Sequence, residues 1–301
     1  MSTAREIGDL TAISEGDHRH SGPTALRILV GSQLRRMREA RGITRDAAGY
    51  VIRASHSKIS RLECGRTSFK PRDVADLLTL YGVVDEPERV AVLALAEQAN
   101  APGWWQDYRD AVPDWFEAYL GLEQDASVIR TIGVQFVPGL LQTEGYARAL
   151  IAQSHESGPA ERAERRVAVR MRRQRMLAEP ASRKLWVVMD EAALRRRVGD
   201  PATMRAQLEH LLRMSELPHV AIQILPFSSG GHTGGVGHFA LLRFSQTELD
   251  DVVYLEHLTG GQYLTRESDV GPYRHLLNEL GVQARPATGT PALLRRILDA
   301  G

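Results

Sequence analysis

The chain has one cysteine, Cys64, in 301 residues. A single thiol excludes an internal disulfide and a metal site built of cysteines alone. Long apolar runs are missing as well, and no stretch approaches the roughly 18–20 residues that a membrane-spanning helix needs. The polar segment from Met1 to Pro23 carries acids and no apolar core, which argues against a secretory signal. The cytoplasm is therefore the expected compartment. Catalytic signatures are also scarce. Neither H-E-x-x-H nor G-x-S-x-G occurs. His232, His238, His257, Asp190, Glu191 and Glu256 show no ligand spacing. The glycine-rich loop at 228–238 lacks the Lys-Ser/Thr of a P-loop, and GVGHFA breaks the G-x-G-x-x-G pattern, so it reads as a connection between strands, with a covering role over a pocket left open. No catalytic residue, metal or cofactor is expected.

Net charge is nearly absent, at +1, but its distribution is uneven. Between Arg27 and Arg72 stand twelve Lys/Arg against three acids, Glu39, Asp46 and Glu63. That block carries a surplus of nine, which leaves the remainder at −8. A basic block beside an acidic bulk is the charge layout of a DNA-binding domain joined to one that does not bind DNA.

Breakers divide the chain. Residues 1–24 hold few large apolar side chains and read as a disordered tail. Five short helices are expected over 25–100, at about 26–41, 45–52 and 56–64, then from Pro71 to near Gly82 and from Pro87 to about Asn100. Pro102-Gly103 marks a boundary, and 101–301 reads as a second domain. Its strand-length apolar stretches are 184–189, 219–225, 238–244 and 252–258. Helices are expected at about 160–178, 200–215 and 267–280. Mixed elements without strict alternation suggest an α+β fold.

The basic block has the parts of a DNA-reading helix pair. Leu34, Met37, Ala47, Ala48, Ile52, Ile59 and Leu62 recur at helical spacing, one buried stripe per helix. Thr44 is placed to cap the second helix, with Asp46 in its first turn. Gly49 falls where the two helices must approach closely and a Cβ is a liability. Ser55 caps the third helix, whose first turns expose His56, Ser57, Ser60 and Arg61. Arg61 has the donors for a guanine edge, and His56 and Ser57 can reach bases or phosphates. Arg45, Arg53 and Lys58 suit phosphates, which position a protein without specifying sequence.

The stretch LRRMREARGITRDAAGYVIRASHSKISRLECGR resembles the repressor-type helix-turn-helix of phage repressors and Cro, the xenobiotic-response-element-like family. The resemblance implies a lambda-repressor-like, all-α domain and an ion pair between Arg38 and Glu63 that is structural rather than DNA-reading. Arg53 departs from the pattern, standing where many members carry a turn glycine. A left-handed backbone there would be strained by roughly 1 kcal/mol.

Further motifs, GWWQDYRDAVPDWFEAYLGLEQDA, FVPGLLQTEGYARAL, DEAALRRRVG, QLEHLL, VAIQILPF and VVYLEHL, are similar to those of the WhiJ-like regulators of actinobacteria. That resemblance implies a transcriptional regulator whose large C-terminal domain pairs, antitoxin-like, with a small neighbour-encoded protein. Two readings of the aromatic cluster stay open. Trp104, Trp105, Tyr108 and Trp115 form an effector or partner surface, or they lock their segment onto the domain. Two readings also fit the arginine-rich helix at 160–178, a second DNA-contacting surface or a helix that pairs with acids. Its apolar stripe is expected to be Ala160, Ala163, Val167, Met171, Gln174 and Ala178. The expected protein is a DNA-binding regulator acting on double-stranded DNA, as a homodimer, under control of its C-terminal domain.

Overall fold

Proline and glycine punctuate the first hundred residues, and the helices begin and stop at them. In a computed structural model, which describes residues 22–153, 159–178, 183–231, 237–246 and 249–300, Pro23 opens helix α1 (Pro23–Ala40). Helices α2 (Arg45–Val51), α3 (His56–Glu63), α4 (Pro71–Leu80) and α5 (Glu86–Ala99) follow. Proline is favoured in the first helical turn because its missing N–H is unpaired there anyway, and α4 and α5 start this way too. Helices α1, α3 and α4 end just ahead of Gly42, Gly65 and Gly82, all at positive φ. Of the tail expected over 1–24, residues 1–21 lie outside the described residues, and the end is corrected, since Pro23 and Thr24 belong to α1 and Thr24 is buried.

The chain divides into two compact units. Met1–Trp104 with Gln246–Leu249 form one, and Trp105–Ser245 with Asp250–Gly301 the other. In the first, Leu26, Val30 and Leu34 of α1 pack with Ile59 and Leu62 of α3, Val74 and Leu77 of α4, and Val92 and Ala96 of α5. No single short helix could bury its own stripe, so the five are stable only together.

The second unit carries helices α6 (Asp114–Asp125), α7 (Glu144–Ala152), α8 (Ala160–Gln174), α9 (Glu191–Arg195), α10 (Pro201–Ser215), α11 (Glu267–Gln283) and α12 (Thr290–Ala300). They surround one sheet of β1 (Val128–Gly133), β2 (Lys184–Asp190), β3 (Val220–Leu225), β4 (Phe239–Arg243), β5 (Val252–His257) and β6 (Gly260–Leu264). The strand order is β3-β2-β1-β4-β5-β6. Strands β1, β2 and β3 are mutually parallel, and β4, β5 and β6 join antiparallel. Ile132, Val188, Leu225, Phe239 and Leu241 meet Val270, Leu277 and Leu280 of α11. Leu185, Val187, Met189 and Ile222 are also buried, as expected for parallel strands covered on both faces. The unit is thus α+β, with a mixed sheet.

Two strands were not expected from sequence. In β1, Arg130 and Thr131 interrupt the apolar run. Thr131 is accommodated because its hydroxyl donates to Phe239 O at 2.7 Å. In β6, Gly260-Gly261 reads as a turn, yet Gly261 pairs with Glu256. A Cβ on Gly261 would fall 2.6 Å from Tyr254 Cε2, so the glycine makes room for a buried ring.

Helix α8 corrects the expected apolar stripe. Val167, Val169 and Arg173 are the buried positions, while Ala160 and Ala178 face solvent. The reason is a charge pair. Arg173 Nε and Nη2 both donate to the Glu123 carboxylate at 2.7 Å, and Tyr119 Oη donates to it at 2.8 Å. Burial opposes the Arg173 charge, but Glu123 outweighs it and holds the guanidinium above its ordinary value. Arg170, beside it, donates to Gln142 Oε1 at 2.9 Å, and burial draws it down to about 10. Arg165 pairs with Asp110 at 2.7 Å and donates to Asp107 O, and Arg172 lies 3.7 Å from Asp107. The acid-pairing reading of this helix is the one these contacts favour.

Removing one partner of a buried ion pair leaves the other charge unpaired, which destabilises by about 3–5 kcal/mol. Glu123→Ala is expected to lose that much in urea unfolding. The apolar double substitution Glu123→Leu with Arg173→Met is expected to lose less than Glu123→Ala alone.

Candidate nucleic-acid interface

Helix α3 is too short to hold its own angle, so its position depends on what ties its ends. At its start Ser55 Oγ accepts from Lys58 N at 3.3 Å, and at the start of α2 Thr44 Oγ1 accepts from Ala47 N at 3.1 Å. Such caps satisfy backbone donors that a helix start leaves open. At the end of α3 sits Glu63, its side chain 2% exposed. Its carboxylate takes both Arg38 Nε and Arg38 Nη2, the latter at 3.1 Å, and also Arg45 Nε at 3.0 Å. Arg38 Nη1 donates to Ile43 O at 2.7 Å. One carboxylate thereby joins α1, α2 and α3. The Glu63 bonds hold the Arg38 guanidinium above its ordinary value despite burial. Burial pushes the neighbouring Tyr81 phenol up to about 12, with the charge of Glu63 adding to the effect.

The connection between α2 and α3 is equally tight. Arg53 N donates to Tyr50 O at 3.2 Å and Ala54 N to Gly49 O at 2.8 Å, the crossed bonds of a helix end that turns left-handed. Arg53 takes φ 52 and is the one non-glycine residue with positive φ among the described residues. A Cβ on Gly49 would stand 2.5 Å from Ala54 O. The close approach at Gly49 is therefore to the turn backbone.

With Ile59, Leu62 and Glu63 buried, α3 turns His56, Ser57 and Arg61 outward, with Ser60 half-buried beside them. Two of the residues expected at phosphates are already engaged. Arg45 belongs to the Glu63 cluster, and Lys58 Nζ lies 2.7 Å from Asp73 Oδ2. Arg53, Arg66, Lys70 and Arg72 are exposed. Sequence reasoning missed Tyr50, which is 87% exposed on α2. Its only signal was an aromatic residue standing off the buried stripe.

The four aromatic residues for which a surface role and a packing role were both open differ in their surroundings. Trp105 is 2% exposed. Tyr108 lies beneath the guanidinium groups of Arg165 and Arg172, 5.2 and 5.9 Å from its ring centre. Trp115 packs edge-on against Phe116, and its carbonyl accepts from Tyr263 Oη at 2.8 Å. Trp104 is half-buried at the end of the first unit. Phe116, Tyr119 and Tyr254 stack in series and Tyr263 lies tilted against Tyr254, so the nearby aromatics hold α6 against β5 and β6. Among the described residues no group of three His, Cys, Asp or Glu side chains is placed to hold a metal. His232 lies outside the described residues. No helix among them is long and apolar enough to cross a membrane.

Two capped helices joined by a tight left-handed turn, the second presenting a polar face, define a helix-turn-helix, and residues 29–92 match the profile of a helix-turn-helix domain. The remainder is assigned by a second match. Residues 116–296 match a domain of unknown function (DUF5753) over more than half of the chain, and the chain belongs to that family. Neither the curated proteins nor the solved structures contain a significant match.

Glu63→Ala is expected to destabilise the first unit by about 3–5 kcal/mol, because two arginines lose their shared carboxylate. Arg53→Gly is expected to act the opposite way, by about 1 kcal/mol, since glycine removes the left-handed strain. Thermal unfolding of the two variants checks both signs.

Proposed function

We propose that this protein is a sequence-specific transcriptional regulator of the repressor type, which reads the major groove with the outward face of α3. The observation that carries the reading is the split of that helix. Ile59, Leu62 and Glu63 are consumed by the fold, while His56, Ser57 and Arg61 are exposed on a helix whose tilt is clamped at both ends. Arg61 takes the role of base reader through a bidentate contact to guanine, worth about 1–3 kcal/mol of discrimination. Ser55, His56, Ser57 and Ser60 sit around the same helix start for bases or phosphates. Lys58 and Arg45 act at phosphates only after exchanging Asp73 and Glu63 for them, which favours a positioning role. Two copies docking on half-sites about 10 base pairs apart would place both heads on one face of the duplex.

Control of the DNA-reading domain falls to the DUF5753 region. The motif similarity to WhiJ-like regulators supports an antitoxin-like pairing with a small neighbour-encoded protein. Full operator binding by the purified chain alone would make such a partner dispensable for that step.

Sites selected from genomic DNA supply the test. Arg61→Ala is expected to weaken binding to the selected site about 5- to 100-fold and to relax preference at one base position. Lys58→Ala is expected to weaken binding to all sequences alike and to lower the salt slope by about 1. Fluorescence anisotropy across a salt series reads both. Unchanged affinity and preference in Arg61→Ala would remove that residue from base reading.

A further inference from the structure

Strands β2 and β3 run parallel and stop together at the pair Asp190↔Leu225. Just beyond their carboxyl ends lies a pocket of about 310 Å³. Parallel strands leave ligand crevices at this end of a sheet, and the volume suits a small ligand. Among the described residues, three arginines line it, Arg195, Arg285 and Arg296, against one carboxylate, Glu191, with Phe227 and Leu293 as apolar wall.

The single carboxylate is already committed. Glu191 Oε1 accepts from Arg195 Nε at 2.8 Å, and its Oε2 accepts from the Phe227 backbone N–H at 3.1 Å. Among the described residues no carboxylate pairs with Arg285 or Arg296. The pocket therefore holds an excess of two positive charges, and guanidinium groups cannot relieve it by losing protons.

The walls are anchored rather than loose. Arg285 N donates to Ile224 O at 2.9 Å, and Arg285 O accepts from Gln223 Nε2 at 3.1 Å. Thr290 Oγ1 donates to Ile222 O at 2.6 Å and seats the start of α12, which carries Arg296. These bonds cover the outer edge of β3 and set two cations over it. Phe227, 58% exposed, holds a flat apolar ring at the rim while its own N–H is tied to Glu191.

We propose that this pocket binds a small anion carried on a flat apolar group, with Arg285 and Arg296 taking the phosphate or carboxylate and Phe227 stacking on the apolar part. The site lies in the DUF5753 region, and its occupancy does not depend on DNA reading.

Calorimetric titration of the full chain, without DNA, tests it with phenyl phosphate, benzoate and inorganic phosphate. At least one aryl anion is expected to bind saturably, and the comparison of the two identifies the anionic group. The double variant Arg285→Ala with Arg296→Ala is expected to weaken that binding at least about tenfold. Phe227→Ala is expected to reduce the aryl anion to the affinity of its bare anion and to leave inorganic phosphate unaffected. All three side chains are exposed, and unchanged thermal unfolding of the variants verifies their folds. Absence of saturable binding by both aryl anions overturns the proposal, as does equal binding by the double variant. Displacement of the aryl anion by duplex DNA of unrelated sequence also overturns it, since the arginines would then belong to DNA phosphates.

Discussion

The geometry of the helix-turn-helix depends on one buried carboxylate. Glu63 ends α3 and receives Arg38 from α1 and Arg45 from α2, so a single group fixes three short helices against each other. Apolar packing holds them together but is non-directional. Charge-assisted hydrogen bonds add direction, because a planar guanidinium meets a carboxylate in few orientations. The tilt at which His56, Ser57 and Arg61 leave the surface follows from that arrangement. It is also why Arg45, basic and next to α3, is partly withdrawn from the surface.

The second unit uses the same device. Glu123 accepts from Arg173 and Tyr119 inside a stack of aromatic rings, and Arg173 lies over Phe116 and Tyr119. In both units a buried charge is tolerated because every facing donor is matched. The arginines of the β2–β3 pocket are the contrast. There, among the described residues, the only lining carboxylate is shared with a backbone N–H and with Arg195, and two guanidinium groups have no carboxylate partner.

Much of the DNA-binding unit was legible from residues alone because its signals are local. Pro71 and Pro87 mark helix starts, Thr44 and Ser55 cap two others, and Gly42, Gly65 and Gly82 stop helices. The motif resemblance added the Arg38–Glu63 pairing, and the structure brings those two residues together. The second unit was harder. Strand β1 carries Arg130 and Thr131 and so lacks an apolar run, and β6 opens with two glycines. Each becomes a strand only because a neighbour supplies a hydrogen bond or needs the space. Trp105 looked like candidate surface because large aromatics suit pockets and cores equally, and composition cannot separate the two.

What the sequence by itself determined is the placement of the short helices and the polar face of α3, since caps, breakers and apolar periodicity act over three or four residues. Tertiary structure alone decided which charges are spent. Arg45 pairs across 18 residues, Lys58 across 15 and Arg173 across 50, and nothing local marks an arginine as matched or unmatched. The convergence of Arg195, Arg285 and Arg296 has the same origin, because the ends of parallel strands gather residues that are distant along the chain.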